Sequence, residues 1–203
     1  MRNSPSLTVM VLCACLIVFA PSCAFIRALT EPAGKEKKTA DTAGKQAQKA
    51  VDDTVRKAQV DIADGEYEKA LELYASAYGK KHAQELRDNY SATGEQIRKI
   101  ADTAYQRKDF AGAGSIYNML LESGILTLDF ANALSFNEVY LNGQMNACSK
   151  ALLEAGLTTY REGKLEDAIA VWRKALVFDH DNKDIKNMIE TASTQLQNLK
   201  NIK

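Results

Sequence analysis

The chain has 203 residues, 46% of them hydrophobic and 26% charged, and its 26 basic side chains balance 26 acidic ones. A chain of that length suits one well-buried domain better than two. The charge balance leaves no net field to draw the protein onto nucleic acid or an anionic bilayer, so no nucleic-acid partner is expected.

The first residues read as an address. Arg2 precedes an uncharged stretch, Leu7 to Ala20, and then the small-residue sequence Ala20-Pro21-Ser22-Cys23. That order is the grammar of an export signal over residues 1–22. The apolar stretch of about fourteen residues is shorter than the roughly twenty that a spanning helix needs. Cys13, Cys15 and Cys23 crowd this end while Cys148 stands alone in the body, which leaves no disulfide framework.

A cysteine directly after the apolar run resembles the lipobox of bacterial lipoproteins, whose cysteine is diacylated and becomes the first mature residue. The resemblance implies lipidation at Cys23 and a membrane anchor through that lipid. Ala20 stands where the family prefers Leu, and Pro21 is unusual there. Ala24 is not the aspartate that retains such proteins in the inner membrane, so the resemblance implies the outer membrane, with the domain facing the periplasm. Two other readings stay open: ordinary cleavage after Ala20-x-Ser22, or an uncharged stretch extended through Ile26 and kept as an anchor. All three place the domain outside the cytoplasm. Residues 23–45, with Pro32, Gly34, Gly44 and the cluster Lys35-Glu36-Lys37-Lys38, read as a flexible tether.

Pro5, Pro21 and Pro32 are the three prolines, so nothing from Glu36 onward forbids continuous helix. Within residues 46–203 one pattern recurs three times: Gly65-Glu66-Tyr67-x2-Ala70-x3-Tyr74-x2-Ala77, then Lys108-Asp109-Phe110-x2-Ala113-x3-Tyr117-x2-Leu120, then Gly163-Lys164-Leu165-x2-Ala168-x3-Trp172-x2-Ala175. Apolar residues three and four apart precede each copy, as in Val51, Val55, Ala58 and Ile62. Each unit is therefore helix, tight turn, helix. Small side chains let two antiparallel helices approach, and the aromatic fills the space beside the next pair.

The pattern resembles the tetratricopeptide repeat (TPR), and the third copy, with Gly156 at the first-helix glycine, resembles it most. The resemblance implies an all-α, helix-turn-helix solenoid that binds protein and catalyses nothing. No copy has the closing proline; His82, Ile125 and His180 stand there. Ala70 to Ala113 is 43 residues and Ala113 to Ala168 is 55, against about 34 in the family. Elongated first helices account for the excess: Leu141, Met145, Cys148, Leu152, Ala155 and Thr159 form one stripe, with Ser135-x-x-Glu138 as its cap. Leu86, Tyr90, Ile97, Ile100 and Ala104 lead into the second copy, with a break expected over Ser91 to Gly94. The repeat cores fall at about 50–80, 94–125 and 141–178. A final helix over 183–200, with Ile185, Ile189, Ala192, Leu196 and Leu199 on one face, caps the stack.

Little else carries chemistry. His82 and His180 fall at equivalent turns, and no zinc-ligand spacing accompanies them. Asp179, Asp181 and Glu190 mimic three positions of an EF-hand loop, but Lys183 and Asp184 occupy positions that oppose calcium. That segment reads as a linker, with Asp181 or Asn182 capping the next helix. Cys148 reads as a buried, inert thiol and Trp172 as core. The expectation is an adaptor or scaffold, without cofactor or metal, that grips a segment of another envelope protein. The alternative is a structural lipoprotein associated with the cell wall and lacking a dedicated protein partner.

Overall fold

The computed structural model describes residues 34–201 except residue 82. Cys23 and the signal segment lie outside these residues, as does His82. The regular structure of the described residues is all α-helix, without a strand: α1 (Gly34–Ala63), α2 (Tyr67–Lys81), α3 (Gln84–Gln106), α4 (Phe110–Glu122), the single turn α5 (Leu128–Ala131), α6 (Glu138–Arg161), α7 (Leu165–Ala175) and α8 (Lys183–Asn201). None of these helices is long and apolar enough to cross a membrane. The chain divides into the units Met1–Asp41 and Thr42–Lys203, and the core lies in the second.

The tether expected over residues 23–45 is corrected from Gly34 onward, where α1 begins. Residues 34–45 include four lysines, one glutamate and two alanines, which are strong helix formers, and the interior Gly44 costs only about 1 kcal/mol. Low hydrophobicity there did not exclude a helix.

The three sequence copies are the hairpins α1–α2, α3–α4 and α6–α7, and their turns are built alike. Gly65, Lys108 and Gly163 have φ of 80°, 64° and 78°. In each, the N–H of that residue bonds the carbonyl three residues back, and the next N–H bonds the carbonyl five residues before it: Ile62 and Asp61, Tyr105 and Ala104, Tyr160 and Thr159. This double bond pattern closes a helix whose following residue takes the left-handed conformation.

The long spacing has two sources. The first helices are elongated, with 23 residues in α3 and 24 in α6 against 13 in α4 and 11 in α7. Each long helix serves two hairpins. The amino-terminal half of α3 meets α2, where Tyr90 lies 6.2 Å from Tyr74, and its carboxy-terminal half meets α4, where Tyr117 reaches Asp102. Likewise Tyr140, near the start of α6, packs 6.5 Å from Tyr117, while Tyr160, near its end, packs 5.9 Å from Trp172 and bonds Gln195 of α8. The second source is the segment 123–137, which sequence periodicity did not anticipate. It runs along α3 with Phe130 edge-on to Tyr90 at 4.7 Å and to Tyr78 at 5.0 Å.

Two boundary expectations are corrected. No break interrupts α3 at Ser91 to Gly94, because Gly94 serves close packing: a Cβ there would collide with Ile125 Cδ1. The cap of α6 is Asn137, whose side chain accepts from the Tyr140 N–H at 2.9 Å. Ser135 is engaged elsewhere. At the far end α8 lies on α7, with Ile185 and Ala192 buried and Leu199 exposed, and Asn182 caps it by accepting from the Ile185 N–H at 3.1 Å.

Candidate interaction surfaces

The repeat residues sit where their chemistry suggests. Ala70, Ala113 and Ala168 are fully buried, and so are Tyr117 and Trp172, with Tyr74 nearly so. Tyr67, Ala77 and Phe110 are half-buried against the core, while Ala175 is buried within it. At the third hairpin the approach is closest: a Cβ on Gly156 would overlap Trp172 Nε1 and Cδ1 and lie 2.6 Å from Cε2. Ala58 and Ala101, both buried, hold the same offset on α1 and α3, a correspondence that the sequence comparison passed over. Each aromatic also satisfies its polar atom, which burial would otherwise penalise. Trp172 Nε1–H donates to the Leu153 carbonyl at 3.1 Å, Tyr117 donates to Asp102, and the Tyr74 hydroxyl bonds Thr93.

Where α3, α4 and α6 meet, charge gathers in a way the sequence reading missed. Asp102 Oδ1 accepts from the hydroxyls of Tyr117 at 2.7 Å and Tyr140 at 2.8 Å, while its Oδ2 pairs with Arg98. Arg98 also bonds Glu95 at 3.3 Å and lies over the Tyr140 ring, 5.9 Å from its centroid. Glu95 in turn accepts from both the N–H and the hydroxyl of Ser135, the latter at 2.8 Å, so it fastens the segment 123–137 to α3. Burial pushes the Glu95 carboxyl up, but the bonds from Ser135 and Arg98 outweigh it and hold the group below the usual carboxylate range. Burial, then the bond to Asp102, pushes the Tyr117 phenol well up. The only sequence signal for this cluster was Glu95, Arg98 and Asp102 at three- and four-residue spacing, which on a helix more often marks a solvated face.

These groups consume one another's hydrogen-bonding capacity. A second polar knot does the same between α6 and the turn before α8: Ser149 donates to Asp179 Oδ2 at 2.6 Å, and Asn182 bonds both. Asp179, read as a linker residue, is thus a packing contact. Cys148 is buried, and burial followed by the charge of Asp109 pushes its thiol up to about 12. His180 is an exposed turn residue whose ring Nδ1 lies 3.3 Å from the Leu176 carbonyl. Among the described residues no group of three or more His, Cys, Asp or Glu is arranged to hold a metal ion.

The chain matches no known protein family, no curated protein and no solved structure.

Two of the open surfaces among the described residues adjoin α1, α2 and α3. One is the outward stripe of α3, where Gln96, Lys99, Ile100, Thr103 and Arg107 line a groove ending at Asp109. The other lies between α1 and α2, a cavity of about 560 Å³ with Val60 and Leu73 in its walls. Both are shallow and mixed in polarity. Such faces suit a macromolecular segment better than a small substrate, which is typically enclosed on most sides.

Proposed function

We propose that this chain is a membrane-anchored, TPR-like adaptor: a helical-hairpin solenoid with elongated first helices and α8 as its cap, held to the envelope by a lipid on Cys23. In this reading the outer membrane carries the anchor, the domain faces the periplasm, and the partner is a segment of another envelope protein. The domain performs no catalysis. The observation that carries the reading is the division of labour among its side chains. Small and aromatic residues of the three hairpins close the core, the polar groups are tied into packing knots, and helix faces on α1, α2 and α3 are left uncovered. A scaffold of rigid helices presenting open faces is how helix-pair repeats bind protein segments.

The test is intact mass and membrane fractionation of the protein and of Cys23→Ala, expressed in a bacterium, with crosslinking before lysis. A diacylglycerol mass on the wild type, lost together with membrane association in the variant, supports the anchor. An unchanged mass and location in Cys23→Ala refutes it.

A further inference from the structure

Five polar residues of α3 follow one line: Arg87, Ser91, Glu95, Arg98 and Asp102 are spaced four, four, three and four apart, so they share a face of the helix. The last three satisfy one another, together with Tyr117, Tyr140 and Ser135. The first two do not. Arg87 Nε and Ser91 Oγ are the buried side-chain nitrogen and oxygen atoms that lack a hydrogen-bond partner among the described residues, and they stand one helical turn apart.

The segment 123–137 closes this end of the face. Phe130 lies on Tyr90, Ile125 and Leu134 come up to Gly94, and Ser135 is fastened to Glu95. Ser91 falls among these contacts and is only 4% exposed. Arg87 is half-buried, so the site reaches the surface there. The carboxylates nearest to it along α3 are turned elsewhere, since Glu85 accepts from Gln48 at 2.9 Å and Asp88 from Gln84 at 2.7 Å.

A buried donor without an acceptor is costly, and a shielded cation without a counter-charge more so. A guanidinium N–H and a hydroxyl O–H on one face suit the two oxygens of a carboxylate. Its single negative charge also matches the single guanidinium, whereas a dianion would bring charge that nothing beside it neutralises. We propose that Arg87 and Ser91 form a binding site for a carboxylate group supplied from outside the chain and roofed by the segment 123–137. The site goes beyond the adaptor reading and does not depend on what the open helix faces bind.

The test is amide hydrogen exchange of the segment 123–137 in the full mature chain, together with NMR of the arginine Nε–H groups, with sodium acetate as the probe and sodium chloride at equal ionic strength as the reference. With acetate at about ten times its dissociation constant, exchange in the segment should slow roughly tenfold. One Nε–H resonance, missing from Arg87→Met, should shift. Arg87→Met should lose the slowing, and Ser91→Ala should weaken it while keeping the charge. Because Arg87→Met removes an uncompensated charge, it should melt no lower than wild type in chloride, so its silence is not a loss of fold. Equal exchange in acetate and chloride, or an acetate response that Arg87→Met retains, overturns the proposal. So does a response that appears only in Asp129→Asn, because the carboxylate is then the chain's own. Capped tripeptides with a central Glu or Gln distinguish two sources of the group. Slowing by the Glu peptide as well as by acetate supports the site as one for a protein side chain; slowing by acetate alone supports it as one for a small organic acid.

Discussion

Replacing Gly156 by Ala tests the close approach at the third hairpin, because two opposing effects of known size meet there. In an open helix the change stabilises by about 1 kcal/mol. Here the new methyl would overlap the indole of Trp172, which is fully buried and cannot swing aside. Forcing one extra carbon into a filled core costs roughly 1–3 kcal/mol. Displacing the indole also strains the Trp172 Nε1–H bond to the Leu153 carbonyl, and a buried donor left unpaired costs a further ~1–3 kcal/mol. The net expectation is destabilisation by about 2–4 kcal/mol, which in a chain of this size lowers Tm by roughly 5–15 °C. Circular dichroism melts measure it, and fluorescence of Trp172, the sole tryptophan, reports whether the indole has moved. Gly79→Ala and Gly143→Ala supply the contrast, since a Cβ at either meets nothing within 4 Å; both should stabilise by about 0.5–1 kcal/mol. If Gly156→Ala melts at or above the wild-type temperature, the packing argument fails. Adding Trp172→Phe to Gly156→Ala should recover part of the loss, and strict additivity of the two changes would show that the residues are not coupled.

Lys108 holds a left-handed turn, with φ of 64° where the equivalent turns use Gly65 and Gly163. Lys108→Gly should therefore raise stability by about 0.5–1 kcal/mol in urea denaturation, while Gly163→Ala should lower it; a destabilising Lys108→Gly would contradict the strain. Glu95 titrates in the folded protein below its ordinary value of 4.5. Its contribution to stability is thus complete above about pH 4.5 and is lost as pH falls through the lower folded value. Glu95→Gln should lose less stability than wild type between about pH 5 and pH 3, and parallel urea midpoints for the two proteins across that range would refute the linkage.

What the sequence disclosed depended on whether a residue's role is local. The hairpin repeat was legible because Ala70, Ala113 and Ala168 and their aromatics recur at fixed offsets, and a helical face has a period that survives in one dimension. A cap at Asp181 or Asn182 and the burial of Cys148 followed from the same local rules, and the structure selects Asn182. The segment 123–137 was not legible, because what orders it is distant in sequence: Ile125 seats against Gly94, and Ser135 is drawn away from the role of a helix cap by Glu95. The same holds for the Asp102 cluster, whose phenols arrive from two other helices. The helix over Gly34 to Lys45 was missed for the opposite reason, since its lysines, glutamate and alanines favour helix intrinsically but the segment bears no apolar stripe.

The shared long helices set how this protein can come apart. In an ordinary array each hairpin is a separable brick, and bricks can be lost or duplicated one at a time. Here α3 and α6 are beams that run through two rooms each, so cutting the chain between hairpins removes a wall from the neighbour as well. Unfolding of the body should accordingly be a single event rather than a fraying from one end, and descendants of this chain cannot lengthen it by copying one hairpin without also supplying the half-helix that the next one lacks.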